Sequence, residues 1–307
     1  MQPTERDFYL TQSIHSDPGE PGETGLLTGL DSDPAELARL VRHVLIHREE
    51  TERFGCALSE SRYRAEAETR YIADILLRAA ELDNAPLTRP RAPQNRFAGT
   101  CRDFALLHCT LLRRTGTPAR IRCGYADYFA PGFHDDHWVT EYWAPVRGWT
   151  LVDPQMVPDA GISDAYTPDF DPYDVPRDRF LVAGDAWRAC REGSADPATF
   201  GVSVLGLTGL WMVRANVVRD LAALNKDEVL PWDGWGIADA DEPTPEQLAL
   251  LDRAAELTSH GGFDELRALY QEAPGLRVPR TLTSHTSYLG EKTVTLRGPA
   301  DSTGAAD

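Results

Sequence analysis

The 307-residue chain lacks the marks of several large functional classes. It has no run of about 18 apolar residues, so no membrane-spanning helix is expected. Its start, MQPTERDFYLTQSIHSD, lacks the charged-then-apolar order of a secretion signal. Basic residues are in deficit, 31 against 48 acidic ones, which leaves a net charge of −17. Nucleic acids and anionic membranes both need a cationic face, so neither is an expected partner. The five cysteines (56, 101, 109, 123 and 190) are odd in number and contain no CxxC pair. That usage suits a reducing cytoplasm rather than a disulfide framework. GxGxxG, a phosphate loop, GxSxG and HExxH are all missing, so nucleotide binding, serine hydrolysis and a metalloprotease lack support. His134 and His137 flank two aspartates, but His-x-x-His in a loop without a cysteine pair is a poor chelate. No metal and no cofactor are expected. There is no internal repeat.

What is present divides into four stretches. Residues 1–33 are rich in Gly, Pro, Asp and Glu and read as an irregular lead-in. Residues 34–160 read as a core with preceding helices. Pro34 opens a helix whose Leu37, Leu40, Val41 and Val44 fall at helical spacing, with Gly55 as its stop. A second helix is expected over roughly 61–82, followed by a Pro-rich loop to Cys101. Residues 161–280 read as a mostly helical extension. Residues 281–307 end in GPADSTGAAD and read as a disordered tail.

The helix signals are densest at Thr100–Arg114. Thr100 can cap it, Asp103 stands at the third position, and Gly116 and Pro118 end it. Cys101 then opens the helix, where the dipole and unpaired backbone N–H groups favour a thiolate and can hold an oxyanion. The competing reading is a buried structural thiol, which suits Cys109 and Cys123 better. Residues 119–125 alternate as a strand, and HWVTEYW and WTLVD read as two strands joined by a turn at 144–148. His137 and Asp153 are both odd-numbered. Any register that pairs odd with odd puts them on one face, directly opposite or one diagonal apart. A strand-end histidine and an Asp-Pro turn are the bland alternatives. A thiol, an imidazole and a carboxylate in that order make a nucleophile, a base and an orienting group.

The runs GTCRDFALL, LLRRTGTPARIRCGY, DHWVTEYW and GWTLVDPQ resemble the core of the transglutaminase-like superfamily of papain-like thiol enzymes. The resemblance covers about 60 residues. It implies an α+β, papain-like and transglutaminase-like fold: a nucleophile helix packed on an antiparallel sheet, with helical extensions. It implies Cys101 as nucleophile, His137 as base and acid, and Asp153 as orienting carboxylate. It leaves the second oxyanion donor open. No Trp precedes Cys101, and Gln94, seven residues upstream, is the candidate, with a solvated loop residue as its alternative. Glu141, Tyr128 and Trp138 are candidate substrate contacts. Glu141 can equally pair with Arg120 or Arg122, and Trp138 can equally face the core.

The expected reaction is thiol-dependent acyl transfer through a thioester, in a bacterial cytoplasmic protein. Water would make the protein an amide or peptide hydrolase, and an amine co-substrate would make it an amide-forming acyltransferase. The substrate class is a small-molecule or peptide amide or ester. The rival is a non-catalytic binding or scaffold protein that keeps the fold.

Overall fold

A computed structural model describes residues 1–23, 25–159, 168–286 and 289–298. The chain falls into two compact units that interleave along the sequence. The first comprises Met1–Ile121 and Trp138–Pro176, the second Arg122–His137 and Arg177–Asp307. They do not divide at residue 160, as the sequence reading had it. Instead the boundaries fall inside two strands.

The first unit begins with α1 (Pro3–Leu10), α2 (Gly19–Glu23) and α3 (Pro34–Val44). The expected irregular lead-in is therefore partly helical. Tyr9 of α1 is buried and meets Trp149 edge-on at 5.3 Å, and that anchor stabilises a helix the composition disguises. Asp33 caps α3 by accepting from the Ala35 N–H at 2.8 Å. After α3 come β1 (Leu45–His47), α4 (Glu60–Ala65) and α5 (Ile72–Leu82). The single helix expected over 61–82 is thus broken at Thr69–Tyr71. β2 (Phe97–Gly99) pairs in parallel with β1 and leads into α6 (Cys101–Arg114).

Helix α6 is buried on every side through Arg113 rather than along one stripe. Its polar side chains nonetheless each find partners, although His108 Nδ1 meets no acceptor or donor among the described residues. Arg113 donates to the Ala119 carbonyl and to Ser16 Oγ, both at 2.9 Å. Thr110 donates to the Ser16 carbonyl at 2.9 Å, and His108 Nε2 lies 3.0 Å from the Pro34 carbonyl. Ser16 of the lead-in, with Pro34 and Ala119, thus supplies the acceptors that let a polar helix be buried. The strands β3 (Ala119–Ala126), β4 (His134–Ala144) and β5 (Gly148–Val152) follow. Within the first unit, β4 pairs antiparallel with β5, and Thr140 Oγ1 donates to the Ala105 carbonyl of α6 at 3.0 Å.

In the second unit, Arg122–Ala126 of β3 and His134–His137 of β4 join β6 (Phe180–Val182), β7 (Phe200–Val202) and β8 (Leu207–Thr208). The strand order is β6-β3-β4-β7-β8. β3 and β6 are antiparallel, β4 and β7 parallel. Gly124 is dictated by packing, since a Cβ there would sit 2.2 Å from the Leu181 carbonyl and 2.8 Å from the Phe180 ring. The helices α7 (Ala183–Glu192), α8 (Leu210–Leu224), α9 (Pro245–His260) and α10 (Phe263–Glu272) build the core with Trp187, Val217, Leu221, Leu251 and Leu269. A small sheet of β9 (Asp233–Gly234), β10 (Thr281–Thr286) and β11 (Gly290–Thr295) completes the unit. Residues 281–286 and 290–295 are therefore a hairpin, not a disordered tail. Leu282 is buried, and β10 pairs with both β9 and β11, so the polar Thr/Ser-rich segment is held by its ladders. Residues 299–307 of the expected tail lie outside the described residues. Among the described residues, no helix is long and apolar enough to cross a membrane.

Candidate active site

Cys101 stands where β2 ends and α6 begins. Thr100 is the extended N-cap, and its backbone N–H and hydroxyl both donate to Asp103 Oδ2, at 2.9 and 3.2 Å. Asp103 is fully buried and also takes Arg102 Nη1 at 3.0 Å on its other oxygen. Burial pushes its carboxyl up, against the pull of Arg102 and Thr100. Arg102 is itself fixed by the Arg70 carbonyl at 2.7 Å. Gly99 is required by this cap, because a Cβ would meet Asp103 Oδ2 at 2.9 Å. The strand–cap–helix junction is therefore rigid where the thiol emerges. Cys101 retains 9% exposure, whereas Cys109 and Cys123 have none. That difference separates a reachable thiol from two structural ones.

Asp153 follows β5 directly and is fully buried. Its Oδ1 accepts the backbone N–H groups of Gln155 at 3.0 Å and Met156 at 3.3 Å. Its own N–H donates to the Pro172 carbonyl at 2.9 Å. The Asp-Pro turn chemistry is thus present, and it fixes how the carboxylate is held. The β4–β5 ladder pairs Glu141 with Leu151 and Trp143 with Trp149, a register of odd with odd. Gln155 Nε2 donates to the buried Glu50 at 2.9 Å.

His137 is 2% exposed and belongs to the second unit. Its ring is surrounded by aromatic edges: Phe129 at 4.8 Å, Tyr128 at 5.9 Å and Phe180 at 6.4 Å between centroids. Phe180 reaches this position because Gly124 leaves room for it. Sequence reasoning proposed Tyr128 but missed Phe129 and Phe180. The run Tyr128-Phe129 carried a signal, and Phe180 lies too far along the chain to have one.

The remaining candidates are placed as follows. Glu141 is 0% exposed and accepts from Arg120 Nε at 2.7 Å. Arg120 also lies over the Trp149 ring at 3.9 Å. Trp138 is buried in the first unit, and its indole N–H meets no acceptor among the described residues. Gln94 sits in a 3-10 turn over Pro93–Asn95 with an exposed side chain, and its carbonyl accepts from Arg62 at 2.7 Å. Among the described residues, no group of His, Cys, Asp and Glu is arranged to hold a metal ion.

Comparison with known proteins bears on residues 59–154, which match the family model of the transglutaminase-like superfamily. Two solved structures are similar over parts of the chain. One is a candidate cysteine protease from Cytophaga hutchinsonii, at 17% identity and a TM-score of 0.23, over 51% of this chain and 44% of that one. The other is red sea bream transglutaminase, at 16% identity and a TM-score of 0.31, over 81% of this chain and 37% of that one. The chain spans less than half the length of either. No curated protein matches it. The matched segment contains β2, α6, β3, β4 and β5, with Cys101, His137 and Asp153. The chain carries a transglutaminase-like superfamily domain over residues 59–154.

Proposed function

We propose that the protein is a cysteine-dependent acyl-transfer enzyme acting on an amide or ester of a small molecule or peptide. The observation that carries this reading is Cys101 itself. It is the first residue of a rigidly capped helix and keeps 9% exposure, whereas Cys109 of the same helix and Cys123 of β3 are fully buried.

In the proposed cycle His137 takes the Cys101 proton, and Asp153 orients the imidazole. The sulfur attacks the carbonyl carbon, and the C=O electron pair moves to oxygen. Backbone N–H groups at the start of α6 are suited to that oxyanion. Collapse reforms C=O and breaks the C–N or C–O bond, and the leaving group takes the proton from His137. A thioester remains. Water or an amine then attacks it, gives a proton to His137 and releases the thiolate, which recovers that proton. Gln94, exposed in its turn, carries no weight in this cycle.

Intact-mass analysis after mixing with a p-nitrophenyl ester tests the reading. The expected result is a single acyl adduct on Cys101, released by hydroxylamine and absent from Cys101→Ala and His137→Ala. An unmodified protein, or an adduct independent of His137, would favour a binding protein that keeps the fold.

A further inference from the structure

The second unit presents a polar rail on a mostly apolar helix that also carries Arg214. Asn216, Arg219 and Asp220 occupy positions i, i+3 and i+4 of α8, and all three are buried. Asp220 grips β3: it takes Arg122 Nε at 3.0 Å, Arg122 Nη2 at 2.7 Å and the Cys123 N–H at 2.9 Å. Asn216 grips β4, donating from Nδ2 to Asp136 Oδ1 at 2.9 Å. One face of α8 thus fastens both strands of the hairpin that carries His137.

The orientation of the Asn216 amide is forced. Its carbonyl accepts from Arg219 Nη1 at 2.9 Å, so only its NH2 can face Asp136. Arg219 is held in turn by the Asp233 carbonyl at 3.2 Å. Strand alternation puts Asp136 on the face opposite His137, whose ring meets the aromatics instead. Asp135, one residue earlier, accepts from the Ser203 N–H at 2.8 Å. The strand is therefore pinned immediately before His137.

We propose that Asp136 and Asn216 are positioning residues for His137, fixing its strand and placing a negative charge one residue away, across the strand, whose field favours the protonated imidazole. This rests on the reading of His137 as the catalytic base. Burial works against the Asp136 carboxylate and pushes it up to about 6, while Arg219, Asn216 and His137 pull it down and Asp135 pushes it up. The groups facing it are Asn216 and Arg219 from α8 and Tyr125 from β3, and its strand neighbours Asp135 and His137 act on it from the other face.

The test follows Cys101 alkylation by iodoacetamide at pH 6, read by peptide mapping, in the full-length protein. A second readout is the His137 titration midpoint by NMR in a Cys101→Ser background, where the imidazole titrates without a thiol partner. Asp136→Asn is expected to slow Cys101 at least about threefold and lower the His137 midpoint by about half a unit. Asn216→Ala is expected to act in the same direction, because it loosens the carboxylate and favours its protonation. Tyr270→Phe, which removes a hydrogen bond to Asp227 in the same unit, is expected to change neither. The proposal is overturned if Asp136→Asn folds and leaves both readouts unmoved, or if Tyr270→Phe shifts them equally. If wild-type Cys101 reacts no faster than Cys109, the catalytic reading fails and the positioning role falls with it.

Discussion

Helices α6 and α8 are both buried nearly all round and both carry polar residues, yet they satisfy them differently. Helix α6 hands its side chains mostly to backbone carbonyls, those of Arg70, Ser16, Pro34 and Ala119. Helix α8 hands Asp220 and Asn216 to ionised side chains, Arg122 and Asp136, while its Arg214 and Arg219 reach backbone carbonyls. Carbonyl partners do not titrate. A helix so anchored is a fixed platform, whereas one anchored through carboxylates responds to charge. The ionisable groups of the two units, taken by themselves, respond to pH with opposite signs. In the first unit, burial pushes His108 down to about 4, so it is neutral when folded. Glu50 and Glu66 are also held low: burial opposes this, but Arg42 and Arg62 outweigh it. All three lose stabilisation in acid, with Asp103 the exception. In the second unit, burial raises Asp136 and Asp227 to about 6, so acid relieves them.

The largest expected effect is on the charged anchor. Asp220→Ala leaves the buried Arg122 without a carboxylate, with the Thr258 carbonyl still at 2.9 Å, and should cost about 3–5 kcal/mol in denaturant melts. A cost under about 1 kcal/mol would mean the ion pair does not hold β3 to α8.

The next effect is the divergence with pH. For His108 the folded value lies below the unfolded one, so stability is full above about pH 6.5 and lost as pH falls towards 4. From pH 7 to 5 that amounts to about 2 kcal/mol. For Asp136 the folded value is raised, so its penalty is largest above about pH 6 and shrinks by about 1 kcal/mol over the same interval. Native-state hydrogen exchange should show α6 amides losing protection at pH 5 while those of α8 hold or gain. Parallel losses in both helices would contradict the distinction.

The smallest effect is on the platform. Thr110→Val removes one hydroxyl donor, shared between the Ser16 and Leu106 carbonyls, and should cost only about 1 kcal/mol. A much larger loss would mean the lead-in is more than a cover for α6.

The same contrast explains what the sequence made legible. The α6 junction follows local rules, with the cap at Thr100, Asp103 three residues on, and Gly116 and Pro118 beyond the end. The strands from 119 to 152 were equally readable, because alternation and turn residues agree there. The lead-in was misread because α1 owes its order to Tyr9 meeting Trp149, 140 residues away. The hairpin at 281–295 was misread because polar Thr and Ser reveal no face to pack. The α8 rail was invisible for a related reason. The stretch reads as helical and well buried, but nothing local marks Arg122 and Asp136, about 80 to 100 residues earlier, as the partners of Asp220 and Asn216. The interleaved units escaped notice because their boundaries fall inside continuous strands, where composition does not change.

The most direct test of the account is the pH dependence of alkylation at each cysteine, in wild type and His137→Ala. Burial raises the Cys56 thiol and pushes Cys190 up to about 11, so neither should compete at low pH. The account predicts that Cys101 alone reacts fast at pH 6 and that His137→Ala slows it. Equal, slow reaction at Cys101 and Cys109, unaffected by His137→Ala, would contradict it.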